Sequence, residues 1–564
     1  MATLFDSPDS QLWSEEVAYA DGGERSDIEL HLLAPNQAAR LLNITPDVTG
    51  RLQKRPGINK LGSAGTGNPN GLHSFEALLQ NVHLLVGQWG GELYSSPGDA
   101  TWTRRASNVS LYNTAYASAQ GKGRSALPTI FLASCVGATD NVSLPYGNLV
   151  CLDTGFGVTE VAVRPRALTW FQNRLWAAGD GNPKLISWSK PLDGRDFSNG
   201  QNFEVDSSDG DILTALLPMR DGTPRIMIFG ERSIHQLEIY WTTDGYFPTT
   251  ANALDFTKSQ LRPISLSTGC LSTRAAVWVP GQEQADVLFL SREGIRSLAR
   301  SATDAQGGAP PPLSKGIDPT IQRINWAEAA RSVAAYWNNI AYFSVPVDGA
   351  VRPNLVIAYD TLRGGFYELD WNVAAWTPAK LTSDRKFFFM SASSCTESGL
   401  GSPASGITNG HHIYQTDGSQ VDPNNQPVQF DIQTRAFDFS QSVGGQPGSG
   451  LRVKKKLDYL DLAIQAAATC ATVTIQYKLD DEDSWSTLRH IFVDPSDGFP
   501  YLPVQLPFSF SAGRVTRRSI ILRDLRPCYK IQLRFLDTTS FARLKLISTT
   551  LYANPANPKF SATP

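Results

Sequence analysis

The sequence predicts an all-β protein in which a β-propeller is followed by a β-sandwich or jelly-roll-like domain. Short hydrophobic stretches recur in pairs around Gly-containing or polar turns along most of the 564 residues. The chain holds 46 Gly and 35 Pro, and aromatic residues make up 10% of it, a composition typical of many short strands joined by tight turns. We therefore expect an N-terminal segment at 1–69, a β-propeller at 70–420 and a C-terminal β-sandwich at 421–564.

The propeller prediction rests on serial strand–turn–strand units. Each unit has a hydrophobic strand, a turn and a second strand with alternating polarity. The units lie at 82–96, 148–163, 168–189, 225–239, 286–298, 333–369 and 386–418. Serial hairpins spaced by roughly 40–60 residues are typical of propeller blades. We expect about seven blades, with six or eight also compatible; a series of unrelated β-sandwich domains is the alternative.

Two segments carry helical patterns. In "DPTIQRINWAEAARSVAAYW", which begins at residue 318, Asp318 is a candidate N-cap and Pro319 suits the first helical position. A second, short helix is predicted for "PNQAARLLN" at 35–43.

The residue pattern changes after residue 420, where the C-terminal part begins. Alternating apolar and polar residues then predict strands and no helix, as expected of a β-sandwich or jelly roll. These strands are predicted at 456–465, 472–479, 517–525, 529–536 and 544–552.

The sequence offers little sign of catalytic or metal chemistry. The six cysteines include no CxxC pair, the seven His include no HExxH motif, and no Walker A or GxSxG motif occurs. Acidic clusters at Asp206/Asp209/Asp211 and at 480–483 sit in turn-like sequence and are interpreted as solvated loops. We expect no catalytic residue, no enzymatic activity, no metal and no cofactor.

The segment "SSPGDATW" at 95–102 resembles the Asp-box of sialidases, S-x-D-x-G-x-x-W. Ser95 and Trp102 fit that pattern, but Pro97 stands in place of the Asp and Asp99 in place of the Gly. We interpret Trp102 instead as a residue that caps a blade hairpin.

The charge of the chain is small but unevenly distributed. A net charge of −3 argues against a general polyanion binder, since such proteins carry a basic excess. Residues 425–564 hold 17 Lys and Arg against 12 Asp and Glu. Arg514, Arg517 and Arg518 lie there; they form either a solvated face or a contact for a negatively charged protein partner.

The stretch "NITPDVTGRLQKRPGINKLG" at 43–62 resembles the N-terminal element of the phage tail nozzle family. This family includes tail tubular protein B and packaged-DNA stabilisation proteins of short-tailed phages. The segments that resemble its blades are "WFQNRLWAAGDGNPKLISWSKPLDGRDF" at 170–197, "IFGERSIHQL" at 228–237, "FLSREGIRSL" at 289–298 and "NLVIAYDTLRGGFYEL" at 354–369.

The resemblance implies a structural virion protein. Members of the family form a hexameric ring below the portal and adaptor, through whose lumen the genome is retained and then released without sequence-specific binding. It implies location in the virion tail after synthesis in the host cytoplasm, portal and adaptor proteins as partners, and tail fibres as a further possible partner. No signal peptide and no membrane-spanning segment are recognised.

The resemblance also gives the basic stretch at 50–62 an interpretation. Arg51, Lys54 and Arg55 are expected to be surface cations on a turn, set by Pro56 and Gly57, that leads into the first blade. Arg51 and Arg55 are then candidates for contact with a neighbouring subunit. Arg514, Arg517 and Arg518 are candidates for contact with a partner protein.

Two other functions remain open at this stage. One is a secreted carbohydrate-binding or glycoside-hydrolysing propeller with a lectin-like sandwich. The other is a tail-fibre or receptor-binding subunit, a class that is normally trimeric and carries long fibrous repeats.

Overall fold

The computed structural model divides the chain into two compact units. The terminal unit contains residues 1–58, 362–369 and 418–564, and the central unit contains residues 59–361 and 370–417. The residues that the structure describes are 13–17, 22–47, 49–62, 68–99, 101–106, 115–123, 126–135, 149–161, 163–198, 201–206, 210–219, 222–241, 254–255, 257–280, 286–303, 311–381, 384–392, 412–419, 422, 427–440, 449–467, 470–493, 515–537 and 543–556.

The N-terminal region forms short strands. They are β1 (Trp13–Val17), β2 (Ala38–Leu42), β3 (Ile44–Pro46), β4 (Leu52–Lys54) and β5 (Gly57–Lys60). The first four belong to the terminal unit, and the chain passes into the central unit within β5.

The central unit is a succession of small antiparallel sheets, built mainly from strands that follow one another in sequence. The first sheet contains β6 (Pro69–Ala77), β7 (Val82–Trp89), β8 (Glu92–Ser96) and β9 (Thr103–Ala106). The second sheet contains β10 (Ala115–Lys122), β11 (Pro128–Cys135), β12 (Leu149–Asp153) and β13 (Val158–Val161). The third sheet contains β14 (Ala167–Phe171), β15 (Arg174–Ala178), β16 (Leu185–Trp188) and β17 (Asn202–Glu204). The fourth sheet contains β18 (Leu213–Pro218), β19 (Arg225–Gly230), β20 (Ile234–Glu238) and β21 (Gln260–Ser265). The fifth sheet contains β22 (Ala276–Val279), β23 (Asp286–Ser291) and β24 (Gly294–Ser297).

The last sheets of the central unit follow two short helices. The helices are α1 (Leu298–Thr303) and α2 (Asp318–Gln322), with 3₁₀ turns at Leu78–Gln80, Leu313–Ile317 and Ala329–Arg331. The strands are β25 (Val333–Trp337), β26 (Ile340–Val345) and β27 (Leu355–Asp360); and, after β28 (Phe366–Leu369) of the terminal unit, β29 (Val373–Lys380), β30 (Arg385–Ser391) and β31 (Ile413–Ser419). Beside β31, Leu61 N–H donates to Ile413 O and Ile413 N–H donates to Gly62 O.

The first strands of these sheets contact one another in a cycle. β6 contacts β10, and the contacts continue through β14, β18, β22, β25 and β29, which contacts β6 in turn. Hydrophobic side chains fill the space between neighbouring sheets. For example, Trp176 and Trp188 of the third sheet pack with Ile226 and Leu213 of the fourth. Within the described residues, this cycle joins seven sheets.

Two-residue turns explain why the hairpins form where the sequence predicts them. Gln172 and Asn173 between β14 and β15 both have positive φ, and so do Asn338 and Asn339 between β25 and β26. Paired positive φ values define the type I′ turn, whose twist matches that of two antiparallel strands, and Asn tolerates this conformation well.

The terminal unit contains two further sheets. Its remaining strands are β32 (Phe430–Phe437), β33 (Lys455–Ala467), β34 (Ala471–Leu479), β35 (Ser486–Val493), β36 (Val515–Ile521), β37 (Ile531–Asp537) and β38 (Arg543–Pro555), with a 3₁₀ turn at Ser449–Arg452. One sheet has the order β3-β4-β38-β33-β36, with β1 also paired to β38, and the other includes the order β28-β2-β32-β37-β34-β35.

Apolar side chains of these two sheets line one small interior space. Ile44, Leu52, Ile464, Leu544 and Leu546 come from the first sheet, and Phe430, Ile432, Val473 and Phe535 come from the second. The two sheets therefore bury a common hydrophobic core, to which strands from both ends of the chain contribute.

The all-β class and the hairpin positions are confirmed, but both helix predictions need correction. Residues 38–42 form strand β2, which pairs antiparallel with β32 and parallel with β28, so the helix predicted at 35–43 is wrong. The helix that begins at Asp318 ends at Gln322, and its N-cap is Ile317 without a side-chain cap. Residues 333–337, the end of the predicted helix, are strand β25.

The division of the chain differs from the predicted three parts in one main respect. The N-terminal segment does not stand apart: residues 1–58 belong to the same compact unit as residues 418–564. The central unit ends at residue 417, and residues 418–564 belong to the terminal unit.

Candidate functional site

The basic stretch at 50–62 begins with a hairpin that a single aspartate organises. Asp47 accepts hydrogen bonds from the backbone N–H groups of Thr49 and Arg51, both at 2.8 Å, and Gly50 takes a φ of 84°. Asp at the start of a turn and Gly at its end are the residues that such a turn favours. The hairpin aligns β3 with β4, so that Lys54 lies opposite Ile44.

Lys54 and Arg55 leave this hairpin as buried cations, each about 1% exposed. Lys54 Nζ lies 2.9 Å from Asp537 Oδ2 of β37. Arg55 binds Asp422 through two nitrogens, at 2.7 and 2.9 Å, and its Nε donates to Asn43 Oδ1 at 2.9 Å. A guanidinium held by two parallel bonds to a carboxylate is one of the stronger polar contacts in proteins.

Burial and pairing oppose each other at this cluster, which we call the Lys54–Arg55 cluster (Asn43, Lys54, Arg55, Asp422 and Asp537). Burial lowers the pKa of Lys54, and the neighbouring Asp537 carboxylate counteracts that effect. A buried charge is tolerated when it is paired and hydrogen-bonded. Each of these cations can therefore be buried only together with its carboxylate partner.

Two further ion pairs join the ends of the chain in the same way. Lys545 of β38 pairs with Asp47 of the hairpin. Burial alone would raise the pKa of Asp47, but hydrogen bonds from Lys545, Thr49 and Arg51 outweigh it and lower the pKa to about 2. Glu15 of β1 accepts from Arg435 and from the backbone N–H of Phe439.

The interpretation of this stretch as a set of surface cations is corrected by these contacts. Lys54 and Arg55 are buried ion-pair residues, because carboxylates more than 360 positions away in the sequence fold against them. Arg51 is half-buried. Gly57 begins strand β5 and does not have positive φ, so the turn is set at 47–50 and not by Gly57.

The other predicted contact residues lie on strand β36. Arg517 and Arg518 are exposed and pair in register with Ala463 and Leu462 of β33. Among the described residues, β36 ends the sheet order, and Ile521 at its end is 70% exposed. Arg514 lies outside the described residues. Edge strands offer unpaired backbone groups, and charged side chains on them commonly prevent unwanted pairing.

Within the central unit, polar groups are buried near the start of β6. His73 lies with its Nε2 3.4 Å from Gln88 Oε1, and burial together with the nearby Arg274 lowers the pKa of His73 to about 3. Arg352 donates to Ala392 O at 2.9 Å and also bonds Asn68. His73 and Gln88 lie on neighbouring strands of one sheet, whereas Arg352, between β26 and β27, reaches segments beside β30 and β6. None of these groups had a recognisable sequence signal.

One acidic cluster also differs from its interpretation as a solvated loop. Asp211 is buried and accepts hydrogen bonds from the backbone N–H groups of Ile212 and Arg232, both at 3.0 Å, and from the Ser233 hydroxyl. It therefore holds the turn between β19 and β20 against the start of β18. Asp206 is exposed, and Asp209 lies outside the described residues.

The described ranges contain no group of three or more His, Cys, Asp or Glu side chains arranged to hold a metal ion. In the same ranges, no helix has both the length and the apolar character needed to cross a membrane.

Comparison with known proteins gives structural likeness but no sequence relative. No protein-family model matches this sequence, and no curated protein is significantly similar to it. The crystal structure of an ancestral GH74 enzyme matches with a TM-score of 0.33 and 10% identity, over 68% of this chain. The match spans about half of that enzyme's length, namely 52%.

This comparison corrects the expectation that the chain has no enzymatic activity. A solved structure that matches is that of an enzyme, and the expectation of no enzymatic activity is therefore not kept. The likeness is too distant to assign a reaction, a substrate or catalytic residues to this chain.

Proposed function

We propose that the central unit is a seven-bladed β-propeller and that the terminal unit is a β-sandwich. The cyclic contact of the first strands supports the propeller, because radial sheets meet along their innermost strands. Pairing of residues 61–62 with β31 ties the start of the cycle to its last sheet. The shared core of the two terminal sheets supports the sandwich.

We propose further that the protein is a structural subunit of the tail of a short-tailed phage. In this role it forms a six-fold nozzle ring below the portal and adaptor, and the ring retains the genome and then releases it. The observation that carries the proposal is the placement of the stretch at 43–62, which bears the resemblance to that family. Its hairpin and two of its cations, Lys54 and Arg55, are built into the hydrophobic and ionic core that both chain ends share.

The charge of the chain is compatible with a conduit. A wall that neutralises many phosphates would hold DNA with salt-dependent affinity and slow its passage. The net charge is −3, and the described cations of the 43–62 stretch that are fully buried, Lys54 and Arg55, are neutralised by carboxylates. We therefore propose that DNA passes through the lumen without binding tightly to its wall.

Electron microscopy of virions tests this proposal. An antibody against the terminal unit should label the tail below the head, and class averages of isolated tails should show a six-fold ring of this chain. A three-fold ring would favour the fibre alternative. Absence of the chain from purified virions by mass spectrometry would refute a virion role altogether.

A further inference from the structure

Arginine side chains from separate sheets of the central unit approach one another at the start of β6. Arg352, between β26 and β27, donates to Ala392 O at 2.9 Å and to the side-chain oxygen of Asn68. Arg274, just before β22, donates to the backbone carbonyl of Asn70 at 3.4 Å. Because Asn68 and Asn70 are only two residues apart, the two guanidinium groups reach the same corner of the unit.

Arg331 brings a third guanidinium to this corner. It ends the 3₁₀ turn Ala329–Arg331, just before β25. The strand that follows it is joined to Arg274, since the backbone N–H of Ala334 donates to Arg274 O at 2.6 Å. Arg331 also lies close enough to Arg352 to act on it: burial lowers the pKa of Arg352, and the Arg331 cation lowers that pKa further. We call Arg274, Arg331 and Arg352 the arginine cluster.

The positive charge of the arginine cluster is only partly balanced. In the described part of the chain no carboxylate pairs with Arg352, whose partners are a backbone carbonyl and an amide oxygen. Arg331 donates through Nε to Glu328 at 2.7 Å, and its two terminal nitrogens make no hydrogen bond to a described residue. Neighbouring like charges raise the free energy of both groups, and a bound anion would lower it.

The donors of this corner are both accessible and held in place. The Arg331 side chain is 46% exposed, and Arg352 and Asn68 are half-buried. The bonds from Arg352 to Ala392 and Asn68 fix the position of its guanidinium before any ligand binds. Donors that are already ordered lose little conformational freedom on binding, which favours affinity.

We infer that the arginine cluster binds a phosphate group. Guanidinium groups suit phosphate because their planar fork matches its oxygens, and such charge-assisted hydrogen bonds are among the stronger ones. A carboxylate has two oxygens, which one guanidinium can satisfy alone. A phosphate has more oxygens and can carry two negative charges, so it can bond Arg331 and Arg352 together and balance both. The inference does not depend on the proposed tail function.

Equilibrium dialysis of the full-length protein against radiolabelled inorganic phosphate tests this inference, with the ionic strength held constant by sodium chloride. We expect saturable binding of one phosphate per chain, with little displacement by an equal concentration of acetate. Absence of saturable binding would overturn the inference. Displacement by acetate as effective as that by unlabelled phosphate would also overturn it, because the site would then not distinguish phosphate from a carboxylate.

Two substitutions then locate the site. Arg352→Gln and Arg331→Gln should each weaken phosphate binding by about tenfold or more, as expected for the loss of a charge-assisted hydrogen bond. Arg331→Gln should fold normally, because its side chain is exposed and bonds only Glu328 within the described residues. The matched control is Arg262→Gln, which removes the same charge from an exposed arginine of β21 and should bind phosphate like the parent protein.

The pattern across these variants decides the inference. Unchanged affinity in both Arg352→Gln and Arg331→Gln would place phosphate binding elsewhere and overturn it. An equal loss in all three variants would show that only the overall charge matters, which would overturn it as well. A short DNA duplex added as a competitor distinguishes the source of the phosphate group. Displacement of inorganic phosphate supports a site for nucleic-acid phosphates, and retention supports a site for free phosphate or a phosphate monoester.

Discussion

Arg55 illustrates how much a buried guanidinium depends on its partners. Its side chain has no contact with solvent, and it is held by the Asp422 carboxylate, the Asn43 side chain and the carbonyl of Pro56. A charge removed from water in this way is stable only while its hydrogen bonds are complete. The same holds for Asp422, whose side chain is only 12% exposed.

Arg55→Ala should therefore destabilise the isolated protein substantially. Removing one partner of a buried ion pair typically costs about 3–5 kcal/mol, because the other charge stays buried without compensation. Interpretation of Arg55 as an exposed cation predicts a loss of only about 0–1 kcal/mol. Denaturant unfolding of the full chain distinguishes these two values.

The matched control for this experiment is Lys60→Ala, an exposed lysine of the same stretch. We expect it to change the unfolding free energy by less than about 0.5–1 kcal/mol. Equal stability of Arg55→Ala and Lys60→Ala would contradict the buried ion pair.

His73 makes the stability of the central unit dependent on pH. Burial is the main reason that its pKa is about 3 in the folded protein, whereas an unfolded chain has a His pKa of about 6.5. Between these values the unfolded chain binds a proton that the folded chain does not. Stability should thus fall as the pH is lowered through this window, by at most about 1.4 kcal/mol per pH unit.

Comparison with His73→Gln isolates this contribution, since the amide can keep a hydrogen bond to Gln88 and does not titrate. Between pH 6.5 and pH 4.5 the parent protein should lose more unfolding free energy than the variant. Asp47 and Asp196, each with a pKa of about 2, contribute mainly at lower pH. Parallel pH profiles for the two proteins would show that His73 is not responsible.

Strand β36 carries exposed charges at the end of its sheet order. Arg517 and Arg518 are consecutive, so they project to opposite faces of the strand, and both are exposed. Reversing Arg514, Arg517 and Arg518 to Glu should leave the unfolding free energy within about 1 kcal/mol of the parent value, because Arg517 and Arg518 are exposed and exposed charges contribute little.

In the proposed tail, the same triple variant should fail to assemble onto an acidic neighbour. Particles should then package DNA but lose it, which nuclease sensitivity of the particles measures. Normal assembly and full retention of DNA would show that the arginines form only a solvated face.

Strand β2 shows what local sequence patterns can and cannot predict. The segment "PNQAARLLN" favours a helix by propensity, yet Ala38–Leu42 pairs with β32, nearly 400 residues later in the chain. Tertiary pairing overrides a weak local preference. Hairpins such as β14–β15 and β25–β26 are predicted correctly because both the strands and the Asn-containing turn are local.

The Lys54–Arg55 cluster could not be predicted for the same reason. The basic residues are visible in the sequence, but their partners Asp422 and Asp537 lie in unrelated stretches, and no spacing rule links them. The all-β class and the hairpins are predictable, because they follow from local alternation and turn residues.

At the scale of the whole molecule, the terminal unit requires both ends of the chain. β2 lies between β28 and β32, and β4 contributes to the sheet of β38. A fragment of residues 418–564 should therefore be unfolded by circular dichroism and by amide exchange, although its sequence alone suggests an independent domain. Co-expression with a fragment of residues 1–62 should increase its soluble yield and strand content, and the same fragment carrying Lys54→Ala and Arg55→Ala should be less effective.

Independent folding of the 418–564 fragment, with unchanged stability when residues 1–62 are added, would contradict this prediction. It would mean that the C-terminal strands complete their core without the N-terminal strands.

Pairing of β1 with β38, in which Trp13 lies opposite Ala553, has a consequence for biosynthesis. Strand β1 leaves the ribosome first, but its partner strand emerges only after more than 500 further residues have been translated. At a rate of about 5–20 residues per second, this interval lasts roughly half a minute or more. Throughout it, nascent chains expose unpaired strand edges and uncompensated charges, so early-terminated products should be strong substrates for chaperones and proteases.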